Sequence, residues 1–147
     1  MEFFSAMDIS TTGLITQRYR MNIAAENLAN IESTRTASGG PYRRKQVVVS
    51  AAGAYGAIPF LDVLMGENVP ALNGTRVVDV VEDPTPFKEL YKPGHPDADQ
   101  NGRVLMPNVN AVLEMTDILL ATRAYEANIA AFSAAKSMVA KALELAK

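Results

Sequence analysis

Asp97-Ala98-Asp99-Gln100-Asn101-Gly102 sets three oxygen-bearing side chains at alternate positions before a glycine. That is the opening half of a calcium-binding loop, D-x-[DN]-x-[DN]-G. The second half fails: the twelfth position is Asn108 instead of a bidentate glutamate, and Pro93 and Pro96 leave no place for an entering helix. The expectation is an acidic turn without metal. His95, the single histidine, stands between Gly94 and Pro96, two residues before Asp97. Acid–base chemistry there would need a nucleophile within reach and a carboxylate to orient the ring. Asp97 supplies a carboxylate, which sustains a small-enzyme reading, but no nucleophile is indicated. A loop histidine in a local hydrogen bond is preferred. Arg43-Arg44-Lys45, beside Tyr42, offers three cations to a phosphate. The chain has no second basic cluster, so a solvated strand edge or a protein-interface patch is preferred.

Composition narrows the chemistry further. With no cysteine there is no disulfide, thiolate metal site or thiol nucleophile, and one histidine excludes a multi-histidine site. Fourteen Lys and Arg against sixteen Asp and Glu give a formal charge of −2, too little field to hold nucleic acid or anionic lipid. No glycine-rich phosphate loop or nucleophile elbow occurs. No catalytic, metal or cofactor-binding residue is assigned, and neither a cofactor nor a small-molecule substrate is expected.

The elements that position these residues follow from punctuation. All eight prolines lie between Pro41 and Pro107, and eight of nine glycines between Gly39 and Gly102. Three segments result: a helical 1–33, an irregular, short-strand middle 34–107, and a helical 108–147. The class is mainly α with a small β-rich middle. In the last segment Ala111, Ile118, Tyr125, Phe132 and Val139 recur every seven residues, with Met115, Thr122, Ile129, Lys136 and Leu143 four behind. That is a heptad seam on a helix from Asn110 to Leu145, roughly 50 Å long. In the first segment Met7, Leu14, Met21 and Leu28 keep the same rhythm, with Ala24 and Ile31 three residues on. The helix expected there, from Ser5 to Ile31, is weakened at Gly13, which marks a bend. Long N- and C-terminal helices packed as a coiled-coil-like pair use both seams. Lys45–Ser50, Thr75–Val81 and Arg103–Met106 read as strands. Residues 38–41, 72–74 and 93–94 read as turns. Gln46–Leu61 is the longest uncharged stretch, and Gly53, Gly56 and Pro59 break it, so no membrane span is expected. The N-terminal MEFFSAMDIS lacks the basic and apolar regions of a secretory signal.

Ala24-Ala25-Glu26-Asn27-Leu28-Ala29-Asn30 is more specific. Two asparagines three apart share a helix surface, and amides that both donate and accept fix register where apolar contact would slide. The alternative is a pair of helix-end asparagines satisfying local backbone. This stretch resembles the signature of the flagellar basal-body rod and hook family, A-x-N-[LIVM]-A-N, with Glu26 where an asparagine often stands. Downstream, Thr34-Arg35-Thr36, Gly39-Gly40-Pro41-Tyr42-Arg43-Arg44, Glu82-Asp83-Pro84, Pro86-Phe87, Pro93 through Asp99, Gly102-Arg103-Val104 and Pro107 through Asn110 are similar to the family's proximal-rod members. So are Glu114-Met115 with Asp117, Arg123 through Asn128, and Lys136 with Met138. Residues 51–73 match least.

The resemblance implies a structural protein of the proximal rod that carries motor torque. It implies export by the flagellar type III apparatus without a cleaved signal peptide, and assembly in the periplasm with copies of itself and other rod proteins. Segments 1–33 and 108–147 would form an inner helical core, with 34–107 further out. Subunit contacts are then expected at Leu28, Ile118, Tyr125, Ile129 and Phe132 for packing. Asn27, Asn30, Glu126 and Asn128 would set register. The rival reading is a soluble coiled-coil adaptor or binding module of the export system.

Overall fold

Asn110 caps the longest element. Its Oδ1 accepts the Val112 N–H at 3.1 Å and its carbonyl accepts the Glu114 N–H at 3.0 Å, meeting orphan donors of a first helical turn. In the computed structural model, which describes residues 2–37, 39–52 and 74–145, helix α2 runs Ala111–Leu145. Helix α1 runs Glu2–Ala29. It ends at Asn30, whose Nδ2 donates to the Glu26 carbonyl at 2.9 Å and whose Oδ1 accepts the Ser33 hydroxyl at 3.1 Å. Between the helices lie β1 (Lys45–Ala51), β2 (Thr75–Glu82), β3 (Lys88–Tyr91) and β4 (Arg103–Met106). Strands β1 and β2 form one two-stranded sheet. The antiparallel pair β3 and β4 forms another, with Lys88 opposite Met106 and Tyr91 opposite Arg103. Three strands are where the valine runs put them. Strand β3 was not expected, because Lys-Glu-Leu-Tyr has little strand signal without its partner. Residues 53–73, including the first two positions of the 72–74 turn, and Ser38 of the 38–41 turn lie outside the described residues.

The described residues belong to two compact units. One is drawn from Met1–Arg18, Val49–Val78 and Thr122–Lys147. In it, Thr12 Oγ1 accepts the Thr75 N–H and the Thr16 and Thr75 hydroxyls lie 3.1 Å apart, so α1 grips the first residue of β2. Gly74 precedes that residue at φ 96°, and a Cβ there would overlap the Thr12 hydroxyl. At Gly13 the α1 backbone lies against α2, where a Cβ would come 2.9 Å from Asn128 Nδ2. Gly13 therefore serves close approach, and α1 is helical through it.

The other unit is drawn from Tyr19–Val48 and Asp79–Ala121. Its interior holds Ala24, Tyr42, Val104, Pro107, Val109 and Ala121, together with Asn27 and Glu114. The apolar core is thin, and polar side chains occupy its centre.

The seam of α2 differs from expectation by one position. Ile118, Tyr125, Phe132 and Val139 are half-buried, as their spacing requires. The second line is not Met115, Ile129 and Leu143, which stay 52%, 45% and 65% exposed. It is Glu114, Ala121, Asn128 and Ala135, three of them buried and Asn128 half-buried. Small side chains let a helix approach its neighbour closely, so the tightest line carries alanines and two amide or carboxylate groups instead of the bulkiest residues. On α1 the expected lines hold at Ala24, Met7, Leu14, Met21 and Leu28, and Ser10 extends the buried one. Among the described residues no helix is long and apolar enough to cross a membrane.

Candidate functional site

Asn27 sits near the C-terminal end of α1 with 1% of its surface exposed. A primary amide offers two donors and two acceptor lone pairs, and all four are matched. Nδ2 donates to the Lys45 carbonyl at 2.9 Å and to Glu114 Oε2 at 3.0 Å. Oδ1 accepts the Lys45 N–H at 2.9 Å and the Tyr42 hydroxyl at 3.0 Å. Toward Lys45 the amide therefore behaves as a neighbouring strand would, engaging both N–H and C=O of the first residue of β1.

Arg44 completes the cluster. Its Nε donates to Glu114 Oε1 at 2.6 Å, and its terminal nitrogens lie 3.3 Å from Asp83 Oδ2 and 3.6 Å from Asp117 Oδ2. Burial works against the guanidinium charge, but the Glu114 carboxylate and then Asp83 outweigh it and hold the pKa above its usual value. Glu114 is 1% exposed. A carboxylate so placed requires a cation and further donors, and Arg44 and Asn27 provide them. Asp83 is held below the usual carboxylate range by the Thr85 N–H and hydroxyl, and further by Arg44.

A second amide repeats the device one residue earlier. Asn108 Oδ1 accepts the Arg44 N–H at 2.8 Å, and its Nδ2 donates to Thr85 Oγ1 at 2.8 Å, with the Asp83 carbonyl at 3.2 Å. Arg43 lies over the Phe87 ring, 4.4 Å from its centroid, and donates to the Asp83 carbonyl at 3.0 Å. Lys45 Nζ meets Glu26 Oε1 at 2.6 Å. The basic triplet read from sequence as a solvated edge or interface patch is tied into the chain's own hydrogen bonds. Each of its three cations has a partner within this unit.

Tyr42 is pushed up to about 12, first by burial and then by the nearby Glu26 carboxylate. The fold favours the neutral phenol. Its stabilising contribution is whole below the usual value of 10.0 and is lost as pH rises through about 12. Urea midpoints measured from about pH 9 to pH 12 should fall more steeply for the parent chain than for Tyr42→Phe; equal slopes would contradict this environment.

The acidic loop is a structural turn. Asp99 Oδ1 accepts the Asn101 and Arg103 N–H groups at 2.9 and 2.8 Å, which lowers its pKa. Asp97 Oδ2 accepts the Thr34 hydroxyl at 2.8 Å. Among the described residues no group of three or more acidic, histidine or cysteine side chains is placed to hold a metal. His95 Nδ1 accepts the Asp97 N–H at 3.1 Å, the local hydrogen bond expected of it. A cleft of about 690 Å³ between residues 34–41 and 97–105 has charged walls already joined as Arg35–Asp97 and Arg103–Glu89 pairs.

The nine residues assigned to subunit contacts are divided between the two units. Asn27, Leu28, Asn30 and Ile118 belong to the second unit, and Tyr125, Glu126, Asn128, Ile129 and Phe132 to the first. Asn27 sets register inside the chain, between α1, β1 and α2. Asn30 satisfies local backbone, the alternative open to it from sequence. Leu28, Ile118, Tyr125, Asn128 and Phe132 are half-buried, whereas Glu126 and Ile129 face outward. The residues missed are Arg44, Asn108 and Glu114 as one cluster. Their signal was polar side chains falling among buried positions.

Residues 100–145 match the family described as "Flagellar basal body rod FlgEFG protein C-terminal". Over nearly full length the chain is 38% identical to the flagellar basal-body rod protein FlgC of Borreliella burgdorferi, covering 99% of this chain and 98% of that protein. It is 41% identical to the protein of the same name from Escherichia coli O157:H7, again over 99% and 98%. It is 39% identical to that of Bacillus subtilis strain 168, over the whole of both.

Proposed function

The chain belongs to the FlgC family of flagellar basal-body rod proteins and is a structural subunit of that rod, and we propose that it polymerises there through its two terminal helices. The full-length identity to FlgC proteins carries this reading. Burial supports the mechanism: among the described residues seven apolar side chains are buried, while twenty large ones are at least a third exposed. A surface so apolar is covered by neighbours in a working assembly. Segments 1–33 and 108–147 form the inner helical core as a coiled-coil-like pair, and 34–107 lies further out. Leu28, Ile118, Tyr125, Glu126, Asn128, Ile129 and Phe132 lie on or beside the contacts with other subunits. The role is mechanical rather than catalytic, with torque carried by many contacts in parallel. Partners are copies of this chain and other rod proteins, reached in the periplasm after type III export without cleavage.

Mass spectrometry of detergent-resistant basal bodies from the source cell tests this. The expected result is the chain in stoichiometric amount, intact from its start apart from loss of Met1. Well-formed basal bodies lacking it, with all of it in the cytosol, would overturn the rod reading and favour the adaptor.

A further inference from the structure

Asn101-Gly102 is one of two Asn-Gly pairs in the chain, and it lies within the second unit. Glycine has no Cβ to shield its amide nitrogen, so that nitrogen approaches the preceding asparagine side chain with little hindrance. Asparagine is a thermolabile residue, and such a pair is where its lability is greatest. The turn cannot discard the glycine. Gly102 stands at φ 73°, and a Cβ there would come 3.0 Å from Pro93 and 3.1 Å from the Tyr91 ring. Asn101 is exposed, so water and hydroxide reach it.

Asp99 engages both halves of the pair. The Gly102 N–H donates to the Asp99 carbonyl at 3.0 Å. The Asn101 N–H donates to Asp99 Oδ1 at 2.9 Å. The Arg103 N–H, then the Asn101 N–H and side-chain amide, hold Asp99 below the usual carboxylate range. A hydrogen-bonded N–H gives up its proton less readily. An ionised carboxylate beside it also opposes the negative charge that attack by that nitrogen would build up.

We propose that Asn101 is a site of self-modification, in which the Gly102 nitrogen attacks the Asn101 side chain, and that Asp99 restrains the reaction in the folded chain. Hydroxide takes the Gly102 N–H proton, and the nitrogen forms a bond to Asn101 Cγ. The Cγ–Nδ2 bond breaks, and Nδ2 takes a proton from water and leaves as ammonia. Water then opens the cyclic imide at either carbonyl. The product is aspartate, or isoaspartate, in which the backbone runs through the side chain. One water enters and one ammonia leaves, with no oxidant or reductant. Either product adds a carboxylate to a cleft already walled by Glu89, Asp97 and Asp99. Isoaspartate also adds a backbone carbon just before Gly102, whose carbonyl accepts the Lys92 N–H at 2.8 Å. It therefore unseats the end of the β3–β4 pair, where Tyr91 lies opposite Arg103. The chemistry does not depend on the rod assignment.

The purified full chain, folded or in urea, is incubated in mildly alkaline buffer. Peptide mapping by mass spectrometry reads the exchange of the Asn101 NH2 for OH, and circular dichroism certifies that parent and variants are folded. Asn73-Gly74, the second such pair, gives the unrestrained rate in urea. The expected result is similar rates at both pairs in urea, and a rate at Asn101 at least about tenfold lower in the folded chain. Asp99→Ala should restore most of that difference without unfolding. Asp99→Asn keeps an acceptor for the two N–H groups but loses the charge, and should fall between; it is read alone if Asp99→Ala does not fold. Asn101 intact in urea while Asn73 reacts would overturn the site. A folded parent reacting as fast as in urea, or a folded Asp99 variant reacting no faster than the parent, would overturn the restraint.

Discussion

Asn27→Ala should lower the unfolding free energy by about 3–5 kcal/mol, because it removes four hydrogen bonds at once from a buried side chain. The substitution deprives Lys45 of a partner for both its N–H and its C=O, Tyr42 of an acceptor and Glu114 of its amide donor. Each orphaned neutral group costs about 1–3 kcal/mol and a charged one more. Small domains hold about 5–15 kcal/mol in total, so the variant should sit near the edge of folding. Asn30→Ala is the internal control. Its side chain bonds the Glu26 carbonyl and the Ser33 hydroxyl beside it, and its loss should cost under about 1 kcal/mol. Urea unfolding followed by circular dichroism measures both. A loss at Asn27 no larger than that at Asn30 would show that the buried amide is not what joins α1 to β1 and α2.

Arg44→Met is expected to be as damaging, for an electrostatic reason. Methionine fills much of the space of the arginine stem, so packing is largely kept. What disappears is the cation 2.6 Å from Glu114 Oε1. A carboxylate with 1% exposure is then left with one amide donor. Breaking a buried pair from one side typically costs about 3–5 kcal/mol, whereas replacing both members by apolar residues is often neutral. The double variant Arg44→Met with Glu114→Met should therefore recover most of the loss. A double-mutant cycle with coupling below about 0.5 kcal/mol would refute the pairing.

Both helices and three of the four strands were readable because each depends on local pattern: proline-free heptads for the helices, and valine runs for two of the strands. The slip in the α2 seam shows the limit of that method. Side-chain size drew the second line through Met115, Ile129 and Leu143. The fold places Glu114, Ala121, Asn128 and Ala135 there, since close helix approach selects small residues and can enclose a charge once a cation is at hand. Arg44 as the cation for Glu114 was not legible, because the two are 70 residues apart and nothing local marks them. Asn27 was singled out from sequence for the right chemistry, two-way hydrogen bonding that fixes register. Within the chain that bonding joins α1 to β1 and α2. Strand β3 escaped notice because its pairing with β4 defines it more than its composition does.

The Asn27 cluster also bears on when the chain becomes a folded object. Its members are drawn from three distant places, and Asn27 and Glu114 are 87 residues apart. Closing so long a loop carries an entropic cost that no early local contact offsets. Synthesis proceeds from the N-terminus at about 5–20 residues per second, so α1 emerges first and carries an amide whose acceptors and donors do not yet exist. Lys45 and Tyr42 follow soon after, but the carboxylate that completes the cluster arrives only when the ribosome has passed Glu114. Until then the terminal helix lacks a fixed register, and the chain remains threadable. Synthesis of the first turn of the last helix, which carries Glu114, is then the step that supplies the cluster's final member.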